Sequence, residues 1–189
     1  MFIDYVTLML INTSAALVIL AAYVYSGVGA PDQRKWAPAL AVPALISLVL
    51  GLHMSTTWPL PGSYNAAYGD ISILFGGLLA GAALALAFGW SLFPLTIYAF
   101  FAGAAAVLIG VRFIDLNLSL QPVFTGIGFI ITGLCGIFAG PFLLRPIKAL
   151  RVLGAGALVV AAVIWLITGY GAYWIHIQSL SKWVPPLMK

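Results

Sequence analysis

His53 is the residue whose surroundings suggest chemistry most directly. It opens the stretch His-Met-Ser-Thr-Thr-Trp-Pro-Leu-Pro-Gly-Ser-Tyr-Asn-Ala-Ala-Tyr-Gly-Asp, residues 53–70, in a chain otherwise built of apolar runs. A neutral imidazole is the commonest metal ligand and also an axial ligand of haem. Thr56 and Thr57 follow three and four positions later, so on a helix they share the His53 face. His176 is the only other histidine. Two histidines on different helices at matching depth are the minimum for bis-histidine haem ligation. Arg112 would then hold a propionate, with Asp115 three residues on as its ion-pair partner and Asn117 and Gln121 nearby.

The candidate cofactor-binding set is therefore His53, Arg112, Asp115, His176, Trp58, Tyr64 and Asn65, with His53 as the candidate metal ligand and haem b or a metal ion as the cofactor. Several of these residues, and Asp70 beside them, also have a structural reading. His53 would bond a neighbouring hydroxyl or carbonyl, His176 would be an interfacial side chain, and Asp70 would be a first-turn acid favoured by the helix dipole. Arg112 near hydrocarbon needs Asp115 or the water interface. Pro59, Pro61 and Gly62 fix a stiff reversal, which suits a lid over a pocket and equally a plain cap. His53, Arg112 and Asp115 are expected to converge beneath that loop.

The elements that must position these groups are membrane helices. Of 189 residues, 63% are hydrophobic and 6% charged, and the mean hydropathy is +1.14. A soluble domain carries about 25% charged residues, so this chain has too few for a water-facing surface. A spanning helix takes roughly 20 mostly apolar residues, and six segments qualify: 4–26, 37–57, 70–89, 92–114, 121–144 and 152–173, with continuation of the last past His176 left open. Short connections make sequential helices antiparallel neighbours. The expected fold is all-α: one transmembrane domain over 1–189, six helices in an antiparallel bundle, and a short interfacial tail at 174–189 ended by Pro185 and Pro186.

Charge orients the bundle. Arg34 and Lys35, and then Arg145, Lys148 and Arg151, fall in loops on one side; Arg112, Lys182 and Lys189 fall on the other, offset by Asp4, Asp70 and Asp115. The positive-inside rule then puts both termini, and the 53–70 loop, outside. Trp36 and Trp90 mark the inner boundary; Trp58, Tyr64, Tyr68, Tyr173 and Trp174 mark the outer one. Gly77 and Gly81, Gly136 and Gly140, and the patch from Gly103 to Ala106 give small faces where helices approach. Pro43, Pro94 and Pro141 predict kinks.

Several function classes drop out. There is no dense basic run for nucleic acid. No series of carboxylates crosses the inner half, as a proton pump or ion-coupled transporter would need. One cysteine, Cys135, allows no internal disulfide. Two histidines are too few for a metal-dependent membrane oxidase.

The His53–Asn65 stretch, with Tyr68-Gly69-Asp70 and the glycine-rich helix after it, resembles a prokaryotic family of polytopic membrane proteins of unknown function. The resemblance is strongest from His53 to Gly81. It implies a small multi-pass protein of a bacterial or archaeal cytoplasmic membrane and brings no activity with it. Two functions are open. One is a non-enzymatic subunit of a larger, redox or respiratory, membrane complex that holds a cofactor, quinone or lipid near the outer face. Its partners would be lipids, other membrane subunits or further copies of itself. The other is a stand-alone carrier or enzyme for a small apolar molecule, with a pocket open to the outer leaflet.

Overall fold

A computed structural model describes residues 4–145 and 147–184. Pro185, Pro186 and Lys189 lie outside the described residues, and with them the expected end of the tail. All described regular structure is helical: α1 (Tyr5–Ala22), α2 (Ala37–Thr57), α3 (Ile71–Phe88), α4 (Leu95–Asp115), α5 (Pro122–Ile137), α6 (Ala139–Leu144) and α7 (Lys148–Leu180). Wide π-helical turns extend α1 over Tyr23–Gly27 and lead into α3 over Asn65–Asp70.

Five of these helices are long and apolar enough to cross a membrane, and α5, at 16 residues, is shorter. The expected fifth segment is thus divided in two. Pro141 has no N–H for the carbonyl of Ile137, four residues earlier, and its ring crowds that position. The helix stops at Ile137 and restarts after Phe138. The last segment takes the longer course left open for it: α7 continues unbroken for 33 residues to Leu180, so residues 174–180 belong to this helix and not to a separate interfacial tail.

The helices pack as three close pairs: α1 with α7, α2 with α3, and α4 with α5. Missing side chains make the closeness possible. A Cβ on Gly110 would lie 2.6 Å from the Gly126 carbonyl oxygen, and one on Gly103 would collide with the Gly133 carbonyl. Across α2 and α3, a Cβ on Gly51 would lie 2.9 Å from the Gly69 carbonyl oxygen, and one on Gly76 2.9 Å from the Leu48 nitrogen. Gly136 meets the Ala99 carbonyl. Gly77 and Gly81 face α4 more loosely, through the Tyr98 hydroxyl at 3.5 Å and Leu95 Cδ1 at 3.0 Å. Consecutive helices α3 and α4 therefore meet through side chains and pack far less closely than the three pairs.

Buried polar groups pin the pairs together. Asn12 of α1 donates to the Pro43 carbonyl (3.0 Å) and to Ser47 Oγ (2.9 Å) on α2. Gly89 takes a left-handed conformation (φ 72°) at the end of α3, and the Trp90 N–H bonds back to the Ala85 carbonyl at 2.7 Å. That backbone lets only glycine end the helix cheaply. The guanidinium of Arg151 lies against Gly29, and that of Arg34 against Gly89, so the basic loops share one end of the bundle. Asp4, His176, His53 and Asp70 gather at the other.

Candidate functional site

At the acidic end, each conspicuous polar residue already has local partners. His53 sits on the last turns of α2, with its Nδ1 3.0 Å from Thr57 Oγ1 and 3.1 Å from the Tyr5 hydroxyl. The Tyr5 and His53 rings are tilted against each other, with centroids 5.3 Å apart. His176 on α7 meets a different part of the same first turn of α1. Its Nδ1 lies 2.9 Å from an Asp4 carboxylate oxygen and 3.2 Å from Thr7 Oγ1. A shallow cleft of about 300 Å³ opens beside Asp4, Tyr5, Leu60 and His176. The hydrogen bonds described for His53 run to Tyr5 and Thr57, and those of His176 to Asp4 and Thr7. Among the described residues no group of three or more His, Cys, Asp or Glu side chains is placed to hold a metal ion.

Arg112 and Asp115 pair with each other on α4 at 2.5 Å, each more than half exposed. Ser55 Oγ donates to Asp70 at 2.6 Å. Asn65 is fully buried and closes the loop on itself. Its Oδ1 accepts the Leu60 N–H at 2.9 Å, while its Nδ2 donates to the Leu60 and Gly62 carbonyls. Trp58 ends α2 in a left-handed conformation (φ 47°), strained for a bulky residue. Tyr64 packs edge-on against Phe113, with centroids 6.5 Å apart.

Beneath that loop lies an aromatic layer. Tyr68 meets Phe113 and Phe129, both at 5.6 Å, and Phe129 meets Trp165 at 4.8 Å. These tilted and edge-to-face pairs each add about 0.5–1.5 kcal/mol beyond the area they bury. Phe113 is fully enclosed.

Under this layer is a chamber of about 220 Å³ between α1, α3, α4, α5, α6 and α7. Tyr68, Phe129 and Trp165 form its roof. Its wall on the α1 side runs from Met9 through the π-helical turns to Val28, and the α-helical part to Ala22 alone rises about 20 Å. The space arises from side-chain size. Ala99, Ala102, Gly103 and Ala106 follow at helical spacing on one face of α4, and Gly133 and Gly136 continue that small surface on α5. Residues this small let α4 and α5 touch yet cannot reach across to α1 and α3. No Asp, Glu, Lys, Arg or His lines the chamber. None of His53, Trp58, Tyr64, Asn65, Arg112, Asp115 and His176 lines it either.

The matched family model covers residues 1–179 and is described as protein of unknown function (DUF981). The chain belongs to that family. The match takes in the whole of α1 to α6 and nearly all of α7, so the chamber and the polar end of this DUF981 protein both lie within the family's shared region. No curated protein and no solved structure matches the chain. Its chemistry must therefore be argued from its own side chains. The sequence pointed to the chamber only through the small patch from Gly103 to Ala106, which serves equally for helix packing.

Proposed function

We propose that this is a multi-pass membrane protein that holds one elongated apolar molecule inside its bundle. The observation that carries the reading is the chamber: about 220 Å³, long, roofed by aromatic rings and lined by no charged side chain. Ligand sites are concave and mostly apolar, with a few polar groups that fix orientation. The seam between α3 and α4 supplies a route from lipid. Tyr98 over Gly77 and Leu95 over Gly81 bridge it with side chains, and side chains move aside more readily than packed backbones.

In the membrane, residues 122–144 make the fifth of six crossings as the broken pair α5 and α6, and the basic end faces the cytoplasm. Both termini are then outside. Exposed apolar residues such as Ile97, Phe101, Leu108 and Ile167 would face lipid in this placement.

Native mass spectrometry of protein purified from its own membranes tests the proposal. Wild type should carry an apolar adduct, whereas Ala102→Phe, whose ring fills the chamber, should lack it while keeping its melting temperature. Identical spectra for the two proteins would overturn the reading.

A further inference from the structure

Six hydroxyls line the chamber, and they divide into two groups. Tyr23 donates to Gln33 Oε1 at 2.5 Å, and Thr96 to the Phe93 carbonyl at 2.7 Å. Thr132 donates to the Gly128 carbonyl at 2.7 Å and accepts Trp165 Nε1 at 3.0 Å. The other three, Thr13, Ser72 and Tyr68, have no side-chain hydrogen bond among the described residues. This is unusual for the molecule. Ser14, Thr56 and Thr168, for example, bond back to carbonyls of their own helices at 2.7–2.9 Å. Helical serines and threonines ordinarily do so when nothing better is offered.

Nor are these three hydroxyls sealed against other atoms. Trp36 Nε1 is the only fully enclosed polar side-chain atom without a partner among the described residues. Each of the three therefore keeps some accessible surface, and each belongs to a residue that lines the chamber. Tyr68 is 8% exposed, so its hydroxyl has little other outlet. Tyr68 and Ser72 stand one turn apart, with Thr13 in the wall opposite on α1. A buried hydroxyl without a partner is unfavourable, and a bound oxygen would relieve it.

We propose, building on the chamber reading, that Tyr68, Ser72 and Thr13 are a hydrogen-bonding subsite for a neutral oxygen-bearing lipid. Its class is the long-chain alcohol or ketone, with the oxygen near the roof and the hydrocarbon running down the chamber. The absence of any cationic or anionic lining side chain sets the charge. An ionised carboxylate or phosphate would be buried without a counter-charge. Hydroxyls both donate and accept, so alcohol and ketone oxygens are served alike.

The test is competition binding with tritiated hexadecan-1-ol on the full-length protein in detergent, using unlabelled hexadecan-1-ol, hexadecane and palmitate as competitors. The variants are Tyr68→Phe, Ser72→Ala, Thr13→Val and their combination, each keeping the side chain's approximate shape. Ala102→Phe and Ala82→Leu serve as filled-chamber controls. Wild type should prefer the alcohol over both hexadecane and palmitate by at least roughly ten-fold, and each single substitution should reduce that preference roughly two- to ten-fold. Hexadecane affinity should not change. If wild type binds alcohol and alkane equally, or the combined variant keeps the preference, the subsite is wrong and the chamber stands. If no competitor displaces the label, or the filled variants bind as wild type does, the chamber reading fails and the subsite with it.

Discussion

The acidic end of the bundle and the chamber beneath it use polar groups in opposite ways. At the end, a histidine, a carboxylate or an amide is matched at once by a neighbour: His53 by Tyr5 and Thr57, His176 by Asp4 and Thr7, Asn65 by the backbone of its own loop. In the chamber, polar groups are few and uncharged, and half of the hydroxyls have no side-chain hydrogen bond among the described residues. Between them lies the aromatic layer of Tyr68, Phe113, Phe129 and Trp165. The contrast separates two jobs. Matched polar groups join helix ends and shape a loop, whereas unmatched ones lining an apolar cavity are available to something else.

Substitutions sharpen that division. The largest effect on stability is expected at Asn65, because its removal leaves the Leu60 N–H and two loop carbonyls without their partner. Asn65→Ala should destabilise the fold by about 2–3 kcal/mol, read as a lower melting temperature, and leave the chamber's binding unchanged. A matching loss of ligand affinity would show that the end and the chamber are one site.

Next come the glycines of the two seams. Gly103→Ala, against the Gly133 carbonyl, should cost about 1–3 kcal/mol because backbone must shift. Gly77→Ala has ordinary contact room beside Tyr98 and should gain about 0.5–1 kcal/mol through helix propensity. Thermal unfolding in one detergent gives both signs; equal losses would mean that the α3–α4 seam is as closed as α4–α5. The smallest effect belongs to Arg112→Lys. An ion pair more than half exposed contributes about 0–1 kcal/mol, so a substantial loss of stability or binding would assign Arg112 a ligand it does not show.

Much of the architecture was legible in the sequence because hydrophobicity has to repeat over helical lengths. The family likeness, the helical class, the α2 boundaries, an irregularity near Pro141 and the grouping of the basic loops all follow from rules local in sequence, though Pro141 was expected to kink one helix and instead divides it in two. The candidate site was legible only at one end. His53, His176 and Arg112 stand out by residue type, and type cannot say whether Tyr5 or Asp4, some 48 and 172 positions away, already occupies them. The chamber was hidden for the opposite reason. Ala99, Ala102 and Ala106 are unremarkable singly, and a void is a property of six helices together. Gly77 and Gly81 also showed that spacing identifies a small face without giving the distance across it.

The length of α7 has a mechanical consequence. Thirty-three residues make a rod of about 50 Å, against an apolar layer of about 30 Å. In the proposed placement, its last two turns stand proud of the outer surface, where His176 clasps Asp4 at the start of α1. α1 packs along α7 and supplies one wall of the chamber. The overhang is thus a handle outside the bilayer, coupled rigidly to a wall within it. In that placement, anything that displaced Tyr173–Leu180 would pull on α1 through the His176–Asp4 contact.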